Sequence, residues 1–165
     1  MSTQICILVK SCVGKKKEKG LLKTSTSKVD VLQGTLMVYM CPNEDYPKNQ
    51  QPHVLECLDQ DNIEVQCFTD DFKHITKDEY ELLLAVPTCQ DRYAMFQSGE
   101  GLKDGLNLNV DDFVEVYDKP SAKDLIGKLR YKGPVDGLQG IYFGVELIVS
   151  IVSFTIWPFF NHQLF

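Results

Sequence analysis

The 165-residue sequence holds six cysteines but no C-x-x-C pair, and its three histidines, His53, His74 and His162, complete no zinc-like spacing. Zinc-finger scaffolds are thereby excluded, and neither a metal nor any other cofactor is expected. A secretory signal is missing as well. The apolar run from Ile5 to Val9 is too short for a signal core, and no small-residue cleavage site follows it. Reduced, mostly buried thiols in a cytoplasmic protein are therefore expected in place of a disulfide framework. No repeat of solenoid period and no long low-complexity stretch is present. What is left is an ordinary globular composition, 44% hydrophobic and 24% charged, with room for one domain or two small ones.

Positive charge is scarce outside one stretch. Seven lysines (Lys10, Lys15, Lys16, Lys17, Lys19, Lys23 and Lys28) stand between positions 10 and 28 with a single acid, Glu18. Taking these from the chain's 17 basic and 23 acidic side chains leaves 10 and 22 elsewhere. Lys15, Lys16 and Lys17 lie between Gly14 and Gly20, which predicts a solvated turn. Nucleic acid is not an expected partner, because aromatic residues do not interleave with the lysines.

Short β-branched runs predict strands at Gln4 to Lys10 and at Thr35 to Cys41. A strand pair is expected at His53 to Leu58 and Ile63 to Phe68, joined by the polar turn from Asp59 to Asn62. Thr76 and Glu79 have the spacing of a capping box, which predicts a helix from Lys77 to about Ala85 that Pro87 closes. Thr88 and Asp91 are expected to cap a second helix reaching Phe96. Leu82, Leu83, Val86, Tyr93 and Phe96 are the expected core of this segment. Gly99, Gly101 and Gly105 predict a loop, and Val110 to Tyr117 the next strand, followed by a turn at Lys119, Pro120 and Ser121.

In Leu125 to Lys132, strict alternation puts Leu125, Gly127, Leu129 and Tyr131 on one face and Lys128, Arg130 and Lys132 on the other. The same rule turns Ile141, Phe143, Val145 and Leu147 inward, and Tyr142, Gly144 and Glu146 outward. Read as one motif, Gly127 to Leu147 is GKLRYKGPVDGLQGIYFGVEL. This resembles the first half of a CAP-Gly domain, a glycine-rich, SH3-like β-barrel that binds acidic or aromatic C-terminal tails. Upstream, YELLLAVPTCQDRYAMF at Tyr80 to Phe96, with Gly105, Leu106 and the Val110 strand, resembles the segment before the first CAP-Gly domain of the cylindromatosis (CYLD) deubiquitinase family. Gln51-Pro52-His53 fits the same region.

The resemblance implies a mainly β chain with a short helical segment (α+β), ending in an incomplete SH3-like CAP-Gly barrel. The expected divisions are a β-rich region over 1–75, a helical segment and loop over 76–105, a partial CAP-Gly domain over 106–147 and an apolar tail over 148–165. It further implies a non-catalytic, cytoplasmic adaptor, associated with microtubules, that takes protein tails such as those of tubulin or of signalling adaptors. The alternatives are the N-terminal piece of a cysteine-type ubiquitin hydrolase acting in signalling, with catalysis only in the full-length form, and a scaffold attached to a membrane through the apolar tail. The expected partner-binding residues are Lys128, Arg130, Lys132, Tyr142, Gly144 and Glu146. No catalytic residues are expected, because the family's cysteine-type ubiquitin hydrolase motifs are absent. The family's Gly-Lys-Asn-x-Gly loop is also absent, since no glycine follows Gly144.

From Leu147 to Phe165 no residue is charged. Three readings stand: a substitute strand covering the barrel edge, a membrane anchor, or the end of an incomplete or alternatively spliced product. The last is favoured. An anchor is disfavoured because the apolar run falls short of about 20 residues and contains Pro158.

Overall fold

The computed structural model describes residues 4–19, 24–42, 51–118, 123–148 and 154–157. Two compact units divide the chain, one drawn from residues 1–77 and 88–93, the other from 78–87 and 94–165. Its mainly β character with short helices is as the sequence predicts.

The first unit is a seven-stranded antiparallel sheet. Its strands are β1 (Gln4–Leu8), β2 (Cys12–Lys19), β3 (Thr24–Val31), β4 (Leu36–Pro42), β5 (His53–Cys57), β6 (Ile63–Cys67) and β7 (Phe72–Ile75). Their spatial order is β3-β2-β6-β5-β4-β1-β7. The period-two pattern explains the core. In β6, Ile63, Val65 and Cys67 are buried while Glu64 and Gln66 alternate with them. Cys6 and Leu8 of β1, Met37 of β4, Leu55 and Cys57 of β5, Val31 of β3 and Phe72 of β7 join them in one apolar cluster. Each Val, Leu, Ile, Met or Phe side chain of this cluster contributes about 1.5–3 kcal/mol when fully buried.

Two features lock the connections of this sheet. Gly34 has φ +86°, and a Cβ there would lie 1.8 Å from the Cys89 carbonyl oxygen, so no larger residue fits. Arg92 is buried and bonds through Nη1 to Asp59 Oδ2 at 2.6 Å. Asp59 Oδ2 in turn accepts the Leu36 backbone N–H at 3.2 Å, so the β5–β6 turn is tied to β4.

The solvated turn expected at Lys15, Lys16 and Lys17 is corrected. These residues lie within β2, paired with β3 on one side and, for Lys15 and Lys16, with β6 on the other. The lysines remain exposed. Charge and the flanking glycines resemble loop signals, but pairing on both sides satisfies the backbone of an extended strand. Gly14 serves packing here, because a Cβ would come within 2.9 Å of Ile63 and Val31 side-chain carbons.

Three helices, α1 (Lys77–Leu84), α2 (Cys89–Ser98) and α3 (Glu100–Asn107), follow β7 in the chain. The expected cap of α2 is present: Thr88 Oγ1 accepts the Asp91 N–H at 3.1 Å and donates to Asp91 Oδ2 at 2.7 Å. The loop expected at Gly99, Gly101 and Gly105 is instead α3. Gly99, at φ 70°, lets α2 end and α3 begin within one residue. Gly105 is buried in α3 beside Leu102 of the same helix. Of the expected helical core, Leu82, Leu83 and Val86 are buried, whereas Tyr93 and Phe96 are half-buried and Met95 takes the buried position.

The second unit also contains a four-stranded antiparallel sheet, β8 (Phe113–Asp118), β9 (Lys123–Gly133), β10 (Tyr142–Leu147) and β11 (Phe154–Trp157), in the order β11-β10-β9-β8. Val114, Val116, Leu129, Phe143 and Val145 are buried in this unit. β11 pairs with β10 from Phe143↔Trp157 to Glu146↔Phe154, so residues 154–157 of the apolar tail supply a strand that covers the β10 edge. The turn expected at Lys119, Pro120 and Ser121 lies outside the described residues, as do residues 149–153 and 158–165. No helix among the described residues is long and apolar enough to cross a membrane.

Candidate functional site

The outward face of the four-stranded sheet brings together part of the expected binding set. A bulge decides which part. Val145 pairs with Leu129 and Gly144 with Tyr131, so Arg130 is an extra residue in β9. The insertion reverses the alternation beyond it. Lys128 and Arg130 stay outward, but Lys132 moves to the face of Phe143, with Nζ 5.9 Å from that ring's centroid. The three cations expected on one face are therefore split.

Lys132 is occupied within the fold. Its ammonium donates to the carbonyl oxygens of Leu106 and Leu108, both at 2.9 Å, at the C-terminal end of α3. A cation there satisfies carbonyls that the helix leaves unpaired and complements its dipole. Tyr142 was expected to face outward but is only 8% exposed, and Gly144 is buried. Both lie on β10, which is flanked by β9 and β11. Tyr131, expected inward, is 39% exposed beyond the bulge, where its hydroxyl donates to the Pro134 carbonyl.

Lys128, Arg130 and Glu146 do come together, with an acid that sequence reasoning missed. Asp111 Oδ1 lies 3.0 Å from Lys128 Nζ and 2.6 Å from Arg130 Nη1. Arg130 Nε donates to Glu146 Oε2 at 2.6 Å. Hydrogen bonding to Lys128, reinforced by its charge and then by Arg130, holds the Asp111 carboxyl below its ordinary range. The Glu146 carboxylate, and after it Asp111, raise the Arg130 guanidinium still further. Asp111 reaches this position through a left-handed backbone, φ 81°, which aspartate tolerates better than most residues. The sequence placed Asp111 inside the strand expected from Val110 to Tyr117, whereas the strand starts at Phe113, and nothing in that pattern foretold an ion pair 17 residues downstream.

This network has two cations and two carboxylates, so the face is locally balanced and not basic. Apolar side chains surround it. Phe113, 70% exposed, pairs in register with Lys128, whose Nζ lies 6.0 Å from its ring centroid. Ile126, 59% exposed, follows on the same face two residues from Lys128, and its carbonyl accepts the N–H of Ile148, 56% exposed.

The cysteines show a different chemistry. Cys6 Sγ lies 3.2 Å from His74 Nδ1, the one thiol–imidazole contact among the described hydrogen bonds. Burial nevertheless pushes the Cys6 thiol up to about 12, Cys67 to about 12 and Cys12 to about 11. Such thiols stay protonated at neutral pH, the reverse of an activated nucleophile. Among the described residues no group of three or more His, Cys, Asp or Glu side chains is arranged to hold a metal ion.

Two antiparallel sheets, short helices and a balanced, partly apolar outer face define a β-sheet protein with features of a recognition module. Comparison with known proteins narrows this: the chain belongs to the CYLD SH3 domain family, whose model matches residues 20–106. That stretch runs from just before β3 through α3 and ends upstream of Gly127–Leu147. The chain is 27% identical over 155 residues to the ubiquitin carboxyl-terminal hydrolase CYLD of Bos taurus, covering 86% of this chain and 15% of that protein. It is 30% identical over 102 residues to the same enzyme of Homo sapiens, covering 60% of this chain and 10% of that protein. The match to the Mus musculus protein has the same identity and coverage. The chain thus spans about a tenth to a seventh of the relatives' length. No solved structure matches it.

Proposed function

We propose that this chain is a non-catalytic interaction region of a CYLD-type deubiquitinase, in which residues 106–147 serve as a CAP-Gly-like reader of protein tails. The observation that carries this reading is the exposed face of Phe113, Ile126 and Ile148 around the Lys128–Asp111–Arg130–Glu146 network. An aromatic tail residue would cover the apolar side chains. Its terminal carboxylate would replace Asp111 or Glu146 on Arg130. Exchanging one exposed ion pair for another is close to neutral in free energy, so affinity would rest on apolar burial and charge would set orientation. Acidic tails with an aromatic terminus, such as those of tubulin, suit this face. Of the six expected residues, Lys128, Arg130 and Glu146 make contact in this scheme; Lys132, Tyr142 and Gly144 support the fold.

Fluorescence anisotropy with a tubulin-tail peptide tests it. Binding should weaken about tenfold in Phe113→Ser and fall by several-fold when the peptide's terminus is amidated. Equal affinity of wild type, Phe113→Ser and Arg130→Ala would discard the face as a reader.

Catalysis and signalling activity then belong to the longer relatives, in a cytoplasmic, microtubule-associated setting. The raised Cys6 thiol supports this, since cysteine nucleophiles require a lowered pKa or a base acting on an accessible thiol. Measurable cleavage of a fluorogenic ubiquitin substrate by the 165-residue chain, lost in Cys6→Ala, would contradict it.

A further inference from the structure

The lysine-rich segment that the proposed tail reader does not use forms one margin of the seven-stranded sheet. We infer that the β3 edge, backed by the lysines of β2, receives an acidic peptide in extended conformation as an added β-strand. Among the described residues, β3 pairs with β2 alone and is the last strand on its side. Eight residues long, it is twice the length of β7 at the opposite margin. A long edge strand presents alternate unpaired N–H and C=O groups to whatever lies beside it.

Register places the charge. Lys15 stands directly opposite Lys28, and Lys17 opposite Thr26, so these side chains share one face of the hairpin. Lys17 is engaged by Glu64. Lys15 and Lys28 are exposed like charges facing each other, and neither has an ion-pair partner among the described residues. An incoming strand would lie about 4.8 Å beyond β3. Acidic side chains at every second position would then fall beside Thr26 and Lys28, within reach of long lysine stems from both strands. Asp30 follows on the same face, so the residue across from it should be neutral or basic.

The same arrangement argues against a second copy of this chain as the occupant. Two β3 edges would add lysine to lysine, and lysine at an edge is a device against self-pairing. Nucleic acid and membrane are poorer fits. On β3 itself the exposed residues leading to Lys28 are Ser25, Thr26 and Ser27, which offer neither aromatic stacking nor an apolar wedge.

The test uses the full chain and a ten-residue peptide of alternating Thr and Glu, acetylated and amidated so that it lacks the free terminus a tail reader needs. Lys28→Glu should weaken binding about tenfold and Lys15→Glu about fivefold, while Lys73→Glu on β7 should leave it unchanged. Circular dichroism would confirm that the variants fold. Arg130→Ala should not alter this binding, which separates the inference from the tail-reading proposal. N-methylating all Glu nitrogens and, separately, all Thr nitrogens tests strand addition, because alternate N–H groups point to opposite sides. One set should abolish binding and the other should spare it. Equal effects of the two sets, a loss with Lys73→Glu as large as with Lys28→Glu, or binding to anionic phosphatidylserine vesicles but not to the peptide would each overturn the inference.

Discussion

Two stretches of this chain each carry three closely spaced cations on a β-strand, and their fates differ. Lys15, Lys16 and Lys17 on β2 are exposed, and among the described residues only Lys17 has an acidic partner. Lys128, Arg130 and Lys132 on β9 are all engaged, two by carboxylates and one by helix-end carbonyls. Arg92, buried against Asp59, is a third and extreme case. The lesson is that cation spacing does not report free positive charge. What reports it is whether the fold brings acids or carbonyls to the same face.

The largest effect is expected at the buried cation, Arg92. Asp59→Ala should destabilise the first unit by about 2–3 kcal/mol, since it removes the carboxylate that pairs with the buried Arg92 guanidinium and accepts the Leu36 N–H. Urea denaturation reads this directly, and a loss below about 0.5 kcal/mol would place Arg92 with the exposed cations. Lys132→Met, which keeps the stem over Phe143 but removes the donor to Leu106 and Leu108, should cost about 1 kcal/mol in the same measurement.

Asp111 sharpens the contrast by titration. Its folded-state pKa is depressed, so its stabilising contribution is complete above the ordinary carboxylate range and disappears as pH falls through the lower folded value. Carbon-detected NMR titration should find the Asp111 midpoint below that range, and Lys128→Ala should move it upward. An unchanged midpoint would mean that Lys128 is as free as Lys15. The smallest effect is expected at the other pole. Lys28→Thr relieves the opposed Lys15 and Lys28 and should raise stability by a few tenths of a kcal/mol, read as a small increase in the urea midpoint.

Legibility followed the range of the interactions involved. β1, β4, β5 and β6 could be read because they are short apolar, β-branched runs, several of them bounded by turn residues, and the α2 cap because Thr88 and Asp91 are three residues apart. β2 and β3 were missed because charged and Ser/Thr-rich strands carry no apolar alternation; partner strands hold them in place. α3 was missed because two of its eight residues are glycine, which propensity counts against a helix. The candidate site was half legible. Lys128, Arg130 and Glu146 stood out by motif, but the Arg130 bulge that turns Lys132 away arises only from pairing with β10.

Apolar runs, alternation and local caps, acting through neighbouring residues, were thus enough for the sequence to determine a mainly β chain with short helices and buried positions such as Leu82, Leu83, Leu129 and Phe143. Which cations are free, which aromatic residues face solvent and how residues 154–157 are used were decided by tertiary structure. Those outcomes depend on strand register and on acids remote in the chain. A single inserted residue in one strand reverses every side chain beyond it, and no local pattern announces that.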